Sequence, residues 1–311
     1  MIATVTLNVA IDKAYVIEKL EDGTVMRVKK CTNTPGGKGL NVAKVAKLMG
    51  EEVLACGFAG GYNGKSVVSM LNACDVPNCF VETENETRCC INILSEEDKS
   101  STEFLEPGAP VNENELASFV KAFKKILKTA EMITISGSMP QGVPEDFYST
   151  LIKLCHKSKV PVCLDTSGSL LKSGIRSKPT LVKPNTDEIE DLLHISVNNE
   201  NAVIASAINI HMTGVPYVVV SLGKEGAVLV CDHGIYKGVP PKITPVNTVG
   251  CGDSMLAAFA VGIKRGADPE TMMREAIAVS AANALSMATG HFEKKDYESI
   301  LPGVKVERIH P

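Results

Sequence analysis

A glycine-rich segment at residues 247–254 combines anion-binding residue types with a carboxylate. Gly250 and Gly252 let the backbone turn sharply, and Asp253 follows them at the predicted start of a helix whose residues 255–263 are apolar on nearly every side. Such a helix is buried. The N–H groups and the dipole at its start favour an anion such as a phosphoryl oxygen. The residues alone leave a second interpretation open, in which Asp253 only caps the helix and the glycines only form a tight turn.

A second glycine-rich helix start lies at residues 35–43, where Lys38 and Asn41 stand about one turn apart on one face. This segment is suited to bind polar groups of a substrate, and a plain strand-to-helix turn is the alternative interpretation. Residues 59–66 resemble a phosphate-binding P-loop but have Ala59 where the motif requires its first glycine, so we reject that interpretation. The sequence also lacks the G-x-G-x-x-G pattern of dinucleotide-binding folds.

The composition argues against several classes of protein. Hydrophobic residues make up 44% of the 311 residues, but the longest apolar run, residues 255–263, is far shorter than the roughly 18 residues needed to span a bilayer. The first residues read as a strand without the basic region of a signal peptide, so we expect a cytoplasmic protein with no membrane partner. The net charge of −4 and the lack of a long basic block argue against nucleic-acid binding.

The ten cysteines are scattered and include no C-x-x-C pair, which favours reduced thiols over a disulfide framework. Cys89 and Cys90 are adjacent on a predicted strand, and neighbouring side chains of a strand point to opposite faces. We therefore expect no shared metal at this pair.

Short β-rich runs alternate with helical runs, which predicts an α/β fold with a mostly parallel central sheet and helices on both faces. The predicted strands are 2–9, 52–57, 132–136, 160–165, 180–183 and 217–222. The predicted helices are 38–49, 65–74, 114–129, 144–157, 186–193, 201–212, 253–264 and 269–288. Residues 15–32 and 87–105 have strand patterns without an intervening helix and predict a small separate antiparallel sheet. We expect a single domain over residues 1–311, with a β lid formed by about 13–34 and 87–106.

Six short motifs together resemble the ribokinase-like carbohydrate kinases, and specifically their phosphofructokinase B branch, over essentially the whole chain. The motifs occupy residues 7–12, 35–41, 136–140, 164–168, 182–188 and 247–253, in the order of that family. Residues 87–88 and 102–108 resemble the ketohexose-phosphate kinases within the branch, 1-phosphofructokinase and tagatose-6-phosphate kinase. The resemblance implies a ribokinase-like fold and phosphoryl transfer from ATP to a sugar phosphate, with Mg²⁺ as cofactor.

The resemblance also implies roles for individual residues. Asp253 corresponds to the catalytic base of the family. The family's anion hole corresponds to the backbone of Gly250, Cys251 and Gly252. The resemblance implies that the sugar hydroxyls are bound by Asp12, Gly37 and Asn41. It implies that the phosphate already on the sugar is bound by Arg27, Lys38, Arg88 and Ser138. The residues implied at ATP are Lys183, Asn185, Ser221, Gly223, Gly226 and Asn283. Mg²⁺ is implied to be organised through water by Asn185 and Glu188.

Two residues depart from the pattern of the family. Cys251 replaces the usual alanine, which a backbone mechanism tolerates but which is compatible with a thiol-sensitive site. Val9 stands where bacterial phosphofructokinases commonly have proline.

Several alternatives stay open at this point. Fructose 1-phosphate and tagatose 6-phosphate are both candidate substrates, because sugar epimers differ by one hydroxyl. A nucleoside or vitamin kinase of the same superfamily is a rival, against which Arg27 and Arg88 favour a phosphorylated sugar. A second rival is a sugar-phosphate-binding regulator without activity. The presence of Asp253 together with Asn185 and Glu188 argues against it. The resemblance further implies a homodimer formed through paired lids, as exposed sheet edges favour.

Overall fold

The computed structural model describes residues 1–197 and 199–309. In this part of the chain the strands are β1 (Ile2–Thr6), β2 (Ala10–Ile17), β3 (Lys30–Gly36), β4 (Val53–Gly60), β5 (Asn78–Thr83), β6 (Arg88–Ser95), β7 (Ser101–Leu105), β8 (Met132–Ser136), β9 (Val162–Asp165), β10 (Leu181–Val182), β11 (Tyr217–Ser221), β12 (Ala227–Cys231), β13 (Gly234–Val239) and β14 (Lys305–Ile309). The α-helices are α1 (Lys38–Leu48), α2 (Gly61–Ala73), α3 (Glu113–Ile126), α4 (Phe147–Lys157), α5 (Gly168–Arg176), α6 (Thr186–Leu193), α7 (Glu200–Met212), α8 (Cys251–Arg265), α9 (Pro269–Ala284) and α10 (Lys294–Ile300).

The main sheet of the described residues has ten strands in the order β14-β13-β12-β11-β10-β9-β8-β1-β4-β5. Neighbouring strands from β5 across to β11 pair in parallel, and β12, β13 and β14 add an antiparallel edge. Every residue of β1, β8 and β9 is buried. Such continuous burial is typical of parallel strands whose two faces are both covered by helices. The predicted α/β class is confirmed.

A hydrophobic core lies on each face of this sheet. Ile2 and Ala3 are neighbours on β1 but belong to opposite cores, because successive side chains of a strand alternate. One core takes its large side chains from α1, α8 and α9, including Phe259. The other takes them from α3, α4 and α7, including Phe119 and Tyr148. Both faces are therefore dry, and polar residues are expected to cluster at the strand ends instead.

Helix α8 is buried along most of its length, from Asp253 to Gly262, as its apolar sequence predicts. It packs between α1 and α9. The start of α8 is therefore held by the protein interior, and the same packing brings the start of α1 close to it.

A second sheet has the order β3-β2-β6-β7. The pairs β2–β3 and β6–β7 are antiparallel, as predicted, whereas the central pair β2–β6 is parallel. The difference has a simple cause: β2 and β6 follow β1 and β5, which point the same way in the main sheet, so both lead away from the same edge in one direction. No helix within residues 1–197 and 199–309 is long and apolar enough to cross a membrane.

Candidate active site

A cavity of about 950 Å³ opens where the parallel strands of the main sheet end. Thr6, Ser136 and Asp165 are the last residues of β1, β8 and β9, and all three line the cavity. Lys183 directly follows β10, and Ser221 ends β11. The carboxyl ends of parallel strands meet at one edge of the sheet, so polar residues far apart in sequence converge there. Residues of β2, β3, β6 and β7 line the same cavity.

Asp253 lies in the first turn of α8 and lines this cavity with only 7% of its surface exposed. Asn41 on α1 donates from Nδ2 to Oδ2 of Asp253 at 2.8 Å. Burial and, to a smaller extent, nearby Asp165 raise the pKa of Asp253 to about 6, against the opposing effect of Lys38. The carboxylate therefore binds a proton more tightly than an exposed aspartate and is still mostly ionised at neutral pH, as a general base requires.

The loop before Asp253 has a backbone conformation that suits glycine. Gly250 has a φ of 82°, and a Cβ there would lie 2.8 Å from Cγ2 of Thr289 and 3.0 Å from the amide nitrogen of Gly290. Gly250 and Gly252 both line the cavity. Of the predicted anion hole, the N–H of Cys251 donates to the carbonyl oxygen of Thr248 at 3.3 Å. The N–H groups in the first turn of a helix have no carbonyl one turn earlier to bind, so those of Gly252 and its neighbour Asp253 are suited to receive a phosphoryl oxygen.

Cys251 and Asn283 are not among the described residues that line the cavity. Asn283 is fully buried, and its Nδ2 donates to the carbonyl oxygen of Val249 at 3.1 Å and to Sγ of Cys251 at 3.4 Å. Asn283 thus supports the loop from behind, and a direct contact with adenine stays a prediction. Burial raises the pKa of the Cys251 thiol, which keeps it protonated and lowers its reactivity.

Asp165 lies between two lysines. It is only 1% exposed, and its Oδ2 and Oδ1 lie 3.1 Å from Nζ of Lys183 and 3.3 Å from Nζ of Lys38. Burial opposes the charge of Asp165, but Lys183 and Lys38 outweigh it and hold the pKa below its ordinary value. The ammonium of Lys38 also lies 3.9 Å from Oε1 of Glu188. Lys38 thus lies beside Asp165 and Glu188 and lines the cavity, and its binding of the sugar's existing phosphate stays a prediction.

Asn185 and Glu188 form a reciprocal cap at the start of α6. Oδ1 of Asn185 accepts from the N–H of Glu188 at 2.7 Å, and Oε2 of Glu188 accepts from the N–H of Asn185 at 2.9 Å. Both residues line the cavity. The described residues contain no cluster of three or more His, Cys, Asp or Glu that could hold a metal. Oε1 of Glu188 is not used by the cap and is the kind of oxygen acceptor that suits a Mg²⁺ ion which keeps several waters.

All but one of the residues implied at the sugar line the cavity, and they come from several elements. The carboxylate of Asp12 lies against Gly36, where a Cβ would be 2.1 Å from its Oδ1. Burial raises the pKa of Asp12 to about 6. Ser138 accepts from Nδ2 of Asn8 at 3.1 Å. Arg88 donates from Nη2 to the carbonyl oxygen of Asn8 at 2.9 Å and from Nη1 to that of Glu106 at 2.6 Å, so it ties the small sheet to the end of β1.

The structure does not bring every predicted residue to the cavity. Gly37, Ser221 and Gly223 line it, but Arg27 and Gly226 are not among the described residues that do. Arg27 is exposed in the connection between β2 and β3. A Cβ at Gly226 would lie 1.9 Å from the carbonyl oxygen of Gly238, so close strand packing explains this glycine.

Sequence reasoning missed several residues of the site. Lys13, Lys30 and Thr289 line the cavity, and Asp165 had been noted only as part of a motif. Both lysines lie in the segment at about 13–34 that was predicted to form part of the lid. Basic residues in a lid over a phosphorylated substrate are a signal that could have identified them. No local pattern pointed to Thr289.

A profile of the pfkB family of carbohydrate kinases matches residues 5–296. The chain belongs to this family. Among solved pfkB structures, phosphofructokinase-2 from Escherichia coli in complex with potassium is 31% identical, with a TM-score of 0.92 over 97% of this chain and 98% of that one. A possible 1-phosphofructokinase from Thermotoga maritima is 26% identical, with a TM-score of 0.87 over 99% of both chains. This pfkB protein is thus an ATP-dependent carbohydrate kinase.

The wider fold is ribokinase-like, as predicted. Ribokinase from Arabidopsis thaliana, complexed with ribose and ATP, has a TM-score of 0.78 over 96% of this chain and 98% of its own. At 21% identity, that similarity concerns the fold alone.

Proposed function

We propose that this kinase transfers the γ-phosphoryl group of ATP to a hydroxyl of a ketohexose monophosphate, with fructose 1-phosphate as the first candidate and fructose 1,6-bisphosphate as its product. The observation that carries the proposal is the buried carboxylate of Asp253, which lines one cavity together with the glycine loop at the start of α8 and with Asp12, Arg88 and Ser138. The cations Lys13, Lys30 and Arg88 that line the same cavity suit a substrate that already carries a phosphate.

Two considerations support a ketohexose phosphate over other sugars. Residues 87–88 and 102–108 resemble the ketohexose-phosphate kinases. Among the similar solved structures are the possible 1-phosphofructokinase and phosphofructokinase-2, the latter also in complex with fructose-6-phosphate at 30% identity. Tagatose 6-phosphate is the second candidate, because one side chain suffices to distinguish sugar epimers.

In the proposed reaction, Asp253 accepts the proton of the attacking hydroxyl, and Asn41 fixes the orientation of its carboxylate through the 2.8 Å hydrogen bond. Phosphoryl transfer has a loose transition state with charge spread over the moving oxygens, so positioning and electrostatics supply most of the rate. The backbone N–H groups of Gly252 and Asp253 and the ammonium groups of Lys38 and Lys183 are placed to stabilise that charge.

ATP is proposed to bind along the part of the cavity lined by Asn185, Ser221 and Gly223. Mg²⁺ would be held by Glu188 and Asn185 through water, and it would neutralise charge on the ATP phosphates. The chain's own contribution at this place is the cap at the start of α6, which fixes the side chains of Asn185 and Glu188 before ATP binds.

The small sheet is proposed to act as a lid that closes over the sugar and excludes water, which otherwise competes for the phosphoryl group. Phe104 and Leu105 on β7 are exposed by 55% and 66%, which supports pairing of two lids in a homodimer. A sedimentation mass equal to one chain, with and without substrates, would contradict the dimer.

The proposed function is tested by incubating the protein with ATP, Mg²⁺ and a panel of ketohexose monophosphates, and following ADP release. The panel contains fructose 1-phosphate, fructose 6-phosphate and tagatose 6-phosphate, with free fructose and a nucleoside as controls. We expect the highest kcat/KM with fructose 1-phosphate. A preference for an unphosphorylated sugar or a nucleoside would refute the proposal, and ligand binding without turnover would favour the regulator.

The pH dependence of kcat/KM should reveal the elevated pKa of Asp253 in the ligand-free enzyme. Because this pKa is raised to about 6, the carboxyl group is protonated below that pH and cannot accept the hydroxyl proton. We expect kcat/KM to fall on the acid side with a midpoint near pH 6, and not near pH 4 as for an ordinary aspartate with its pKa of about 3.9. A kcat/KM that is constant from pH 7 to pH 5 would contradict the assignment.

A further inference from the structure

Lys44 is a partly buried lysine that the mechanism above does not use. It lies about one turn beyond Asn41 on α1, and its ammonium donates to the carbonyl oxygen of Thr289 at 2.8 Å. The charges that act on its pKa are those of Asp12 on β2, Cys74 after α2 and Asp253 on α8. The hydrogen bond connects α1 with a segment 245 residues away in sequence.

The Thr289 segment is packed tightly between α1 and the glycine loop before α8. On the α1 side, a Cβ at Gly290 would lie 2.8 Å from Cβ and Oδ1 of Asn41. On the loop side, a Cβ at Gly250 would lie 2.8 Å from Cγ2 of Thr289. Because neither glycine has room for a side chain, a displacement of Thr289 must also displace Gly250 or Asn41, the partner of Asp253.

We propose that Lys44 is a positioning residue for phosphoryl transfer, whose ammonium anchors Thr289 against the glycine loop. The consequence for phosphoryl transfer rests on the proposed function, and the anchor itself does not. Lys44 acts through Thr289 and not through a contact with the reacting atoms.

The positive charge of Lys44 also has a consequence for Asp12. Burial is the main cause that raises the pKa of Asp12 to about 6, Lys44 and Arg88 lower it, and Glu103 and Asp253 raise it. Burial also lowers the pKa of Lys44, and Asp12 opposes that change. Removing the charge of Lys44 must therefore raise the pKa of Asp12 further, so that more of it is protonated near neutral pH and accepts fewer hydrogen bonds from the sugar.

The kinetic test compares Lys44→Met and Lys44→Arg with the matched control Lys47→Met. Lys47 lies on the same helix and also donates to a backbone carbonyl, that of Asp75. We expect Lys44→Met to lower kcat/KM for the best ketohexose phosphate at pH 7 on the order of tenfold or more. The midpoint pH of the acid-side fall in activity should rise by about one unit in Lys44→Met, and by more in kcat/KM than in kcat. Lys44→Arg should return this midpoint to the wild-type value, and Lys47→Met should leave it unchanged.

The anchoring half has a test that needs no substrate. Hydrogen exchange of the ligand-free protein should be faster over residues 285–293 in Lys44→Met, and as in the wild type in Lys44→Arg and Lys47→Met. Unchanged exchange would overturn the anchor, and an unchanged pH profile would contradict the effect of the Lys44 charge on Asp12. If Lys44→Met does not fold, Lys44→Gln replaces it, because the amide keeps a donor and loses the charge.

These two readouts separate this inference from the proposed function. A wild-type protein that phosphorylates none of the panel, combined with faster exchange in Lys44→Met, would refute the function and support the anchor. An active wild-type protein with a Lys44→Met variant that matches it in both readouts would refute the role of Lys44 alone.

Discussion

Replacing Asp253 by asparagine is expected to lower kcat by about two orders of magnitude or more, within the range for loss of a general base. The amide has nearly the same shape and can still accept the hydrogen bond from Asn41, but it cannot accept a proton. Burial opposes the charge on Asp253, so the neutral variant avoids that desolvation cost and should be at least as stable as the wild type. Binding of ATP and sugar phosphate, measured by calorimetry, should change little.

Asp268→Asn is a matched control for this variant. Asp268 also stands at the start of a helix, α9, where it accepts from the N–H of Thr271 at 3.0 Å, but it is exposed. Asparagine caps a helix as well as aspartate does. We therefore expect wild-type kcat from Asp268→Asn. Normal turnover by Asp253→Asn would remove this carboxylate from the mechanism and with it the central argument for the site.

The second large effect is expected on stability, from Asp165→Asn. Asp165 is the counter-charge of Lys183, whose side chain is only 5% exposed, and of the more exposed Lys38. Removing one partner of a buried pair leaves an uncompensated buried charge, and such changes cost about 3–5 kcal/mol. We expect the free energy of unfolding, measured with urea at pH 7, to fall by about 3 kcal/mol, since Lys38 keeps some contact with water.

The pH dependence of this loss follows from the direction of the pKa shift. The pKa of Asp165 is held below its ordinary value in the folded protein, so its charge stabilises the fold above the pKa of the unfolded state, about 3.9. The contribution is lost as the pH falls through the lowered folded-state pKa. The difference between the wild type and Asp165→Asn should therefore be largest near neutral pH and shrink below about pH 4.

Glu270→Gln is the matched control for Asp165→Asn. Glu270 pairs with Arg274 at 2.8 Å on the surface of α9, and such exposed pairs contribute about 0–1 kcal/mol. Equal losses in the two variants would show that the charge of Asp165 is not needed for stability.

Segments with strong periodicity or clear caps were predicted closely from the sequence. β8 and α6 begin and end at the predicted residues. The elements that the sequence analysis did not predict were β5, β12, β13 and β14 and the short helices α5 and α10. These runs span only five to nine residues. Such short runs contain too few repeats to distinguish the period of a helix from that of a strand.

The local motifs also located much of the cavity. Asp253 and Asn41 were predicted at glycine-rich helix starts, and Asn185 and Glu188 from the resemblance of residues 182–188 to a family motif; the structure brings all four to one cavity. Glycines before a helix and a short motif each involve residues that are close in sequence. Such signals can therefore be read without knowledge of the fold.

The sequence by itself determined the α/β class, the helix starts that surround the cavity and the family, because periodicity, glycine placement and short motifs are local properties. The tertiary structure alone decided which way Lys38 turns, that Asp165 lies between Lys38 and Lys183, and that Lys44 reaches Thr289. The order of strands places β9 beside β8 and β10, and the packing of α8 against α1 brings the later loops to Lys44. The partner of a long charged side chain is the group that tertiary packing places beside it, and no local sequence pattern specifies that group.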